Sequence, residues 1–235
     1  MSFDPLTFLD PVAGPAYGLL TGVADALRPV AGDASAALAV IAFTLAVRAL
    51  LLPLSRAALR GGLARQRLAP RVAELRRRYR KDPERCRREI TGLYRREGVS
   101  PLGGCLPALA QAPFFMVLYR AVSAPLIAGH ANVLLTNAVF GMPLGGRLIG
   151  VLTGALGVPG VVAFAALATA LALVAWWASR TMPPGVPVEG WQRLAPFATL
   201  LSLVVVPYAA GLYVLTSTAW ATGERALAYR TAAAA

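Results

Sequence analysis

The sequence predicts an all-α fold: a polytopic membrane protein with five transmembrane helices and a cytoplasmic antiparallel helical hairpin. Three observations carry that reading. Of the 235 residues, 57% are hydrophobic and 14% charged, and the mean hydropathy is +0.60, too apolar for one soluble core of this size. Several apolar runs approach the ~20 residues needed to cross a bilayer. The formal net charge of +12 is also unevenly placed, with 15 of the 23 Lys and Arg between Arg56 and Glu97. That block holds five acids and a local balance of +10, so the rest of the chain is nearly neutral. In a soluble protein such a charge would suggest nucleic acid; a basic block between apolar runs points to a segment held at the cytoplasmic face.

Residues 1–34 are expected to be an extracytoplasmic segment with an interfacial amphipathic helix, because Phe8, Leu9, Tyr17, Leu19 and Leu20 alternate with Pro, Gly and Asp25. Asp4 and Asp10 stand where a cleaved signal peptide carries basic residues, and no cysteine lies nearby for a lipid anchor. The first span is therefore expected to be its own insertion signal. It occupies 35–55, where SAALAVIAFTLAVRALLLPL contains one charge, Arg48.

The segment 56–98 reads as the basic hairpin. Leu68, Val72, Leu75 and Tyr79 recur at helical spacing, Lys81-Asp82-Pro83 breaks the pattern, and Cys86, Ile90 and Leu93 resume it. One narrow apolar seam per helix suits two helices packed on each other outside the bilayer. Pro70 is expected to start or kink the first of them.

The second span is placed at 105–127 and the third at 158–179, with an extracytoplasmic loop and interfacial helix at 128–157, where Pro143 and glycines interrupt short apolar stretches. The apolar region after Trp191 is too long for one ordinary span. Pro207 divides it into the fourth span, 191–205, and the fifth, 208–225, followed by a cytoplasmic tail, 226–235. This count puts Arg180, Arg193, Arg225 and Arg230 on the inner side and the N-terminus outside, as the lysine and arginine bias toward the cytoplasmic face of a bacterial plasma membrane predicts. Arg120, toward the outer end of the second span, is the exception and is expected to snorkel outward.

Catalysis finds little support. The two cysteines, Cys86 and Cys105, and the single histidine, His130, make no metal pattern and suggest no cofactor; the expectation is a non-enzyme. Arg48 is the most informative residue. It lies about six residues, or ~9 Å of helix, from the cytoplasmic end of its span. A guanidinium at that depth is costly unless it meets water, a partner or the headgroups. Two readings stay open: snorkelling to the interface, or lining a hydrated groove with Thr44, Gln111 and the Thr216-Ser217-Thr218 cluster from other spans.

Three stretches resemble the YidC/Oxa/Alb family of membrane protein insertases: FTLAVRALLLPL at 43–54, GVSPLGGCLPALAQAPFFMVLYRAV at 98–122 and VVPYAAGLYVLTSTAW at 205–220. The likeness extends over about residues 5–228 and is most specific in the second stretch. It implies a short, Gram-positive-type bacterial insertase and folding chaperone, acting alone or with the Sec translocon on newly made membrane proteins. It further implies that Arg48 sits in a hydrophilic groove open to cytoplasm and lipid, with Thr44, Gln111, Tyr213, Ser217 and Thr218 as its lining. Pro101, Gly103, Gly104, Pro107 and Pro113 would shape the passage from hairpin to second span, or simply start and kink that helix. The hairpin would receive clients, signal recognition particle components, the ribosome or anionic lipids. Where many members carry Leu-Tyr-Trp and Asn-Asn in the last span, this chain has Leu212-Tyr213-Val214 and Ser217-Thr218, which predicts a groove with fewer amides. Two other functions compete: an anion channel or solute transporter built on Arg48, which lacks an inverted repeat, and an RNA- or anionic-lipid-binding module built on the basic block.

Overall fold

A computed structural model describes residues 10–99, 106–124, 126–127, 130–135, 137–181 and 193–234. The chain is mostly helical, and its helices are best followed in order because each turn has a local cause.

Helix α1, Asp10–Ala31, buries Ala13, Ala16, Leu20 and Ala24, a stripe at three- and four-residue spacing that packs on α2 and α5. Gly32, at φ +51°, turns the chain. One 3-10 turn, Gly32–Ala34, then leads into α2, Ser35–Leu50, which folds against α1 rather than prolonging it. The N-terminal helix is thus longer than an interfacial segment alone requires, at 22 residues.

Helix α3, Leu52–Arg78, follows α2 across a single residue, Leu51. The amide of Ser55 still donates to the Leu51 carbonyl at 2.9 Å, while Pro53 in the first turn has no amide to give. Pro70 neither starts nor breaks α3; it lies exposed within it, between buried Leu68 and Val72. Asp82 caps α4, Pro83–Arg96, by accepting from the Arg85 amide at 3.0 Å, with Pro83 preset for the first turn. Helix α4 doubles back on α3. Cys86 Sγ lies 3.9 Å from the Leu75 carbonyl, and Arg71 meets Glu97 at 2.9 Å further along. Leu68, Val72 and Leu93 form the buried seam between them.

Helix α5, Leu106–Ser123, ends at a buried cap. Asn132 donates from Nδ2 to the carbonyls of Ala121 and Ala124, at 2.6 and 2.9 Å, and accepts from the Leu134 amide at 3.0 Å. Arg120, one turn earlier, is 5% exposed, so it folds into the protein instead of snorkelling out as expected.

The segment expected as a loop contains three two-residue strands, and a fourth occupies the last two residues of the expected second span, 126–127; together they amend the all-α expectation. Strand β1, Leu126–Ile127, pairs antiparallel with β2, His130–Ala131; β3, Ala138–Val139, pairs with β4, Met142–Pro143. The second hairpin turns on Phe140 and Gly141, both at positive φ (49° and 78°), which two-residue hairpin loops require. Ile127, Leu134, Val139, Met142 and Leu144 all enter the main core, so this segment plugs one end of the helical bundle. A Cβ on Gly141 would stand 2.6 Å from Pro159 Cβ, in a left-handed backbone. Gly141→Ala is therefore expected to cost about 1–3 kcal/mol, read as a lower unfolding midpoint in detergent. No change in the midpoint would show that the hairpin yields freely.

After the short α6, Leu148–Leu152, helix α7, Gly157–Arg180, buries Ala163, Phe164, Leu167, Leu171 and Ala175 on one side. Its other side exposes Val161, Val162, Leu173, Trp176 and Trp177. A helix apolar all round is solvated by protein on one face and lipid on the other. Helix α8, Thr199–Val205, spans only 7 residues after a 3-10 turn, Ala195–Ala198. Val206 is extended, as the residue before a proline prefers, and buried Pro207 starts a new direction. Helix α9, Tyr208–Ala234, begins by donating from Tyr208 to the Gly146 carbonyl (2.8 Å) and from Ala209 to the Leu144 carbonyl (3.0 Å). It continues past 225, so the segment expected as a tail is helical. By length and composition, two described stretches could cross a membrane, Ala13–Leu50 and Gly157–Arg180.

A polar groove between α2, α3, α5 and α9

The register of α9 beside the α2–α3 path builds the candidate site. Arg48 Nε donates to Ser217 Oγ at 3.0 Å, and Ser55 Oγ donates to Glu224 Oε1 at 3.0 Å. Both pairs are 169 residues apart, so the two chain segments run parallel with two cross-links seven residues, or about 10 Å of helix, from each other. From the third side, α5 brings Gln111, whose Nε2 donates to the Tyr213 hydroxyl and, at 3.1 Å, to the same Ser217 Oγ.

These side chains line a groove of about 730 Å³ together with Phe115, Thr218, Arg65 and Arg225. Ser217 is its hub. The hydroxyl, 5% exposed, accepts from an arginine and an amide at once, which fixes both donors. Among the described residues, Arg48 forms its hydrogen bond through Nε, leaving both Nη groups of a half-buried cation available to the groove. A planar, permanently charged fork of this kind suits carboxylates and peptide carbonyls.

The groove is closed toward the short strands. The rings of Phe115 and Tyr213 meet at a tilt, their centroids 5.3 Å apart, and beyond them Val40, Leu118, Val122, Leu134, Met142 and Leu144 are fully buried in one cluster. Its other end lies between the first half of α3 and the last turns of α9, at Ser55, Arg65 and Glu224. It is therefore a blind, mainly apolar cleft that carries one polar cluster. Its chemistry is to hold and solvate polar groups.

Of the residues expected there, Arg48, Gln111, Tyr213, Ser217 and Thr218 all line the groove. Thr44 does not. It is 1% exposed and its hydroxyl donates to the Val40 carbonyl one turn back at 2.7 Å, which satisfies the group inside the helix–helix packing. Thr216 of the expected cluster is not among the residues lining the groove either; its hydroxyl donates to the Leu212 carbonyl one turn back at 2.9 Å. Pro113 is exposed on α5, and the backbone at Pro107 belongs to the first turn of that helix. Pro101, Gly103 and Gly104 lie outside the described residues. Ser55, Arg65, Glu224 and Arg225 belong to the groove without having been expected. Their signal was the spacing: Glu224 follows Ser217 by two helical turns and so returns to the same face.

Residues 27–234 match the family model described as 60Kd inner membrane protein. An inner membrane ALBINO3-like protein 2, chloroplastic, of Chlamydomonas reinhardtii is 42% identical over 109 residues, covering 46% of this chain and 25% of that protein. The membrane protein insertase YidC of Granulibacter bethesdensis is 39% identical over 93 residues (40% of this chain, 16% of the relative). That of Histophilus somni is 38% identical over 120 residues (51% and 21%). The chain thus spans a quarter or less of the length of these relatives.

Proposed function

The chain belongs to the 60Kd inner membrane protein family, the YidC/Oxa/Alb family, and on that premise we propose that it is a membrane protein insertase and folding chaperone. The reading is of the short bacterial form in the plasma membrane, N-terminus outside and C-terminus cytoplasmic. Five crossings would be made by α2, α5, α7, the 191–205 segment that contains α8, and α9. The basic α3–α4 pair would project into the cytoplasm.

The observation that carries this reading is the polar cluster of Arg48, Gln111, Tyr213 and Ser217 inside a bundle whose α2, α7 and α8 expose large apolar side chains. A hydrophilic tail crossing a bilayer leaves backbone groups unsatisfied at several kcal/mol each. A cleft that supplies donors part of the way across shortens the dry path. The free energy for entry comes from the client's own apolar segment reaching lipid, so no chemical step is needed. Arg48 would attract an acidic residue of the tail; at ~4 Å in a partly hydrated site the attraction is about 4 kcal/mol, strong enough to bias entry and weak enough to release.

Positive charge concentrated on α3 and α4 supports their cytoplasmic placement. It also suits them to anionic lipid headgroups and to delivery components, for which signal recognition particle, ribosome and Sec translocon are the partners this reading expects. A channel reading is less favoured because the buried cluster behind Phe115 and Tyr213 blocks the groove.

The test is insertion of a short single-span client into liposomes with and without the purified protein, scored by protease protection of the translocated tail. Protection several-fold above empty liposomes is expected. Equal protection in both would overturn the proposal.

A further inference from the structure

The plugged end of the bundle presents apolar side chains outward as well as inward. Helix α6 reads LIGVL and has no polar side chain. Leu148 and Val151 pack on the core, while Ile149 and Leu152 are exposed. A helix apolar on both sides needs a non-aqueous neighbour on both. At the tip of the β3–β4 hairpin, Phe140 is 78% exposed and holds a left-handed backbone that bulky side chains rarely adopt. Helix α6 also packs on α7 and α8, whose near ends expose Val158, Val204 and Val205.

Helix α7 sets the depth of this patch. At its far end the Arg180 guanidinium lies 4.9 Å from the centre of the Trp176 ring, a pairing suited to the membrane–water boundary. Val158 stands ~27 Å of helix from Trp176, just short of the ~30 Å hydrocarbon thickness. Phe140 shares that level, because its neighbour Gly141 packs against Pro159. We propose that Phe140, Ile149 and Leu152 form a membrane-inserted wedge, binding the acyl chains of the leaflet at this end, which is the outer leaflet in the orientation proposed above. The partner is lipid because the patch joins the exposed apolar faces of α7 and α8 at the depth where hydrocarbon ends. Arg147, exposed just before α6, has the reach to meet lipid phosphates from there. The plug is thus seated in the bilayer, deeper than a segment resting on headgroups. This inference requires α7 to cross the membrane and is independent of the insertase reading.

The experiment places an environment-sensitive fluorophore on single cysteines, Phe140→Cys, Leu152→Cys and, as a reference on the exposed face of α7, Leu173→Cys, in the full chain with Cys86 and Cys105 replaced by Ser. Each protein is embedded in lipid nanodiscs, where water reaches both faces, and quenched either by phospholipid carrying a nitroxide high on its acyl chain or by aqueous iodide. At 140 and 152 the lipid nitroxide should quench several-fold more strongly than iodide. Positions 140 and 152 lie on different elements, so if one labelled protein misfolds the other decides. Stronger quenching by iodide would show a solvated loop, and protection from both quenchers would show a protein cover such as a second copy; either overturns the proposal. A label at 173 that the lipid nitroxide fails to reach, with iodide reaching it, would overturn it too by removing α7 from the bilayer.

Discussion

Arg48→Ala is expected to lower insertion of an acidic-tailed client about tenfold, whereas Arg48→Lys retains most of it. Tenfold corresponds to about 1.4 kcal/mol, a fraction of the attraction available to a guanidinium in a partly hydrated cleft. The fold should survive the change. Gln111 still bridges Ser217 and Tyr213, and the Ser55–Glu224 contact still ties α3 to α9. Lysine keeps the charge but cannot reproduce the fork or the Nε bond, so partial rather than full activity follows. A client whose tail has no acid should be far less sensitive. Equal insertion by all three proteins would return Arg48 to a structural role.

The second large effect concerns stability. Asn132→Leu keeps the branched shape and the number of heavy atoms, yet it strands the Ala121 and Ala124 carbonyls and the Leu134 amide in a buried site. Unsatisfied buried groups cost about 1–3 kcal/mol each, so a loss of about 3 kcal/mol or more is expected. Measured as the denaturant or thermal midpoint in detergent, it should exceed the loss from Gly141→Ala. Because Asn132 joins the end of α5 to the strand segment, hydrogen exchange should rise first at 121–124 and 132–135. A midpoint within 0.5 kcal/mol of wild type would mean that water replaces the side chain there.

These two sites differ in how legible they were. Arg48 announced itself, since one charge in an apolar run is conspicuous and has few places to go. Most of the residues that meet it were readable as the remaining polar groups of the apolar runs, and four of the six expected beside it converge with it. Thr44 fails because a threonine within a helix can satisfy itself on the carbonyl one turn back, which composition does not reveal. Asn132 lies in a segment read as a loop. Strands of two residues show no alternation to detect, and their register depends on Phe140 and Gly141 adopting positive φ.

The ends of helices were the other blind spot. Asp82-Pro83 marks the start of α4 unmistakably, with both cap and first-turn proline present. By contrast, α9 runs on to Ala234 although the fifth span was expected to end at 225, and Glu224, inside that expected span, was not singled out as a groove residue. The helix continues because α3 lies alongside it, through Ser55 and the small side of Ala58 and Gly62. Packing of α3 beside α9 therefore decides where the groove ends.

The most direct test of the account is photocrosslinking from inside the groove while insertion proceeds. A photoreactive residue at Thr218 and another at Leu173, on the exposed face of α7, give two reporters of the client's path. The account predicts that the client's polar tail crosslinks to position 218 before protection is complete, and hardly at all to 173. Insertion with equal crosslinking at the two positions, or with none at 218, would contradict it.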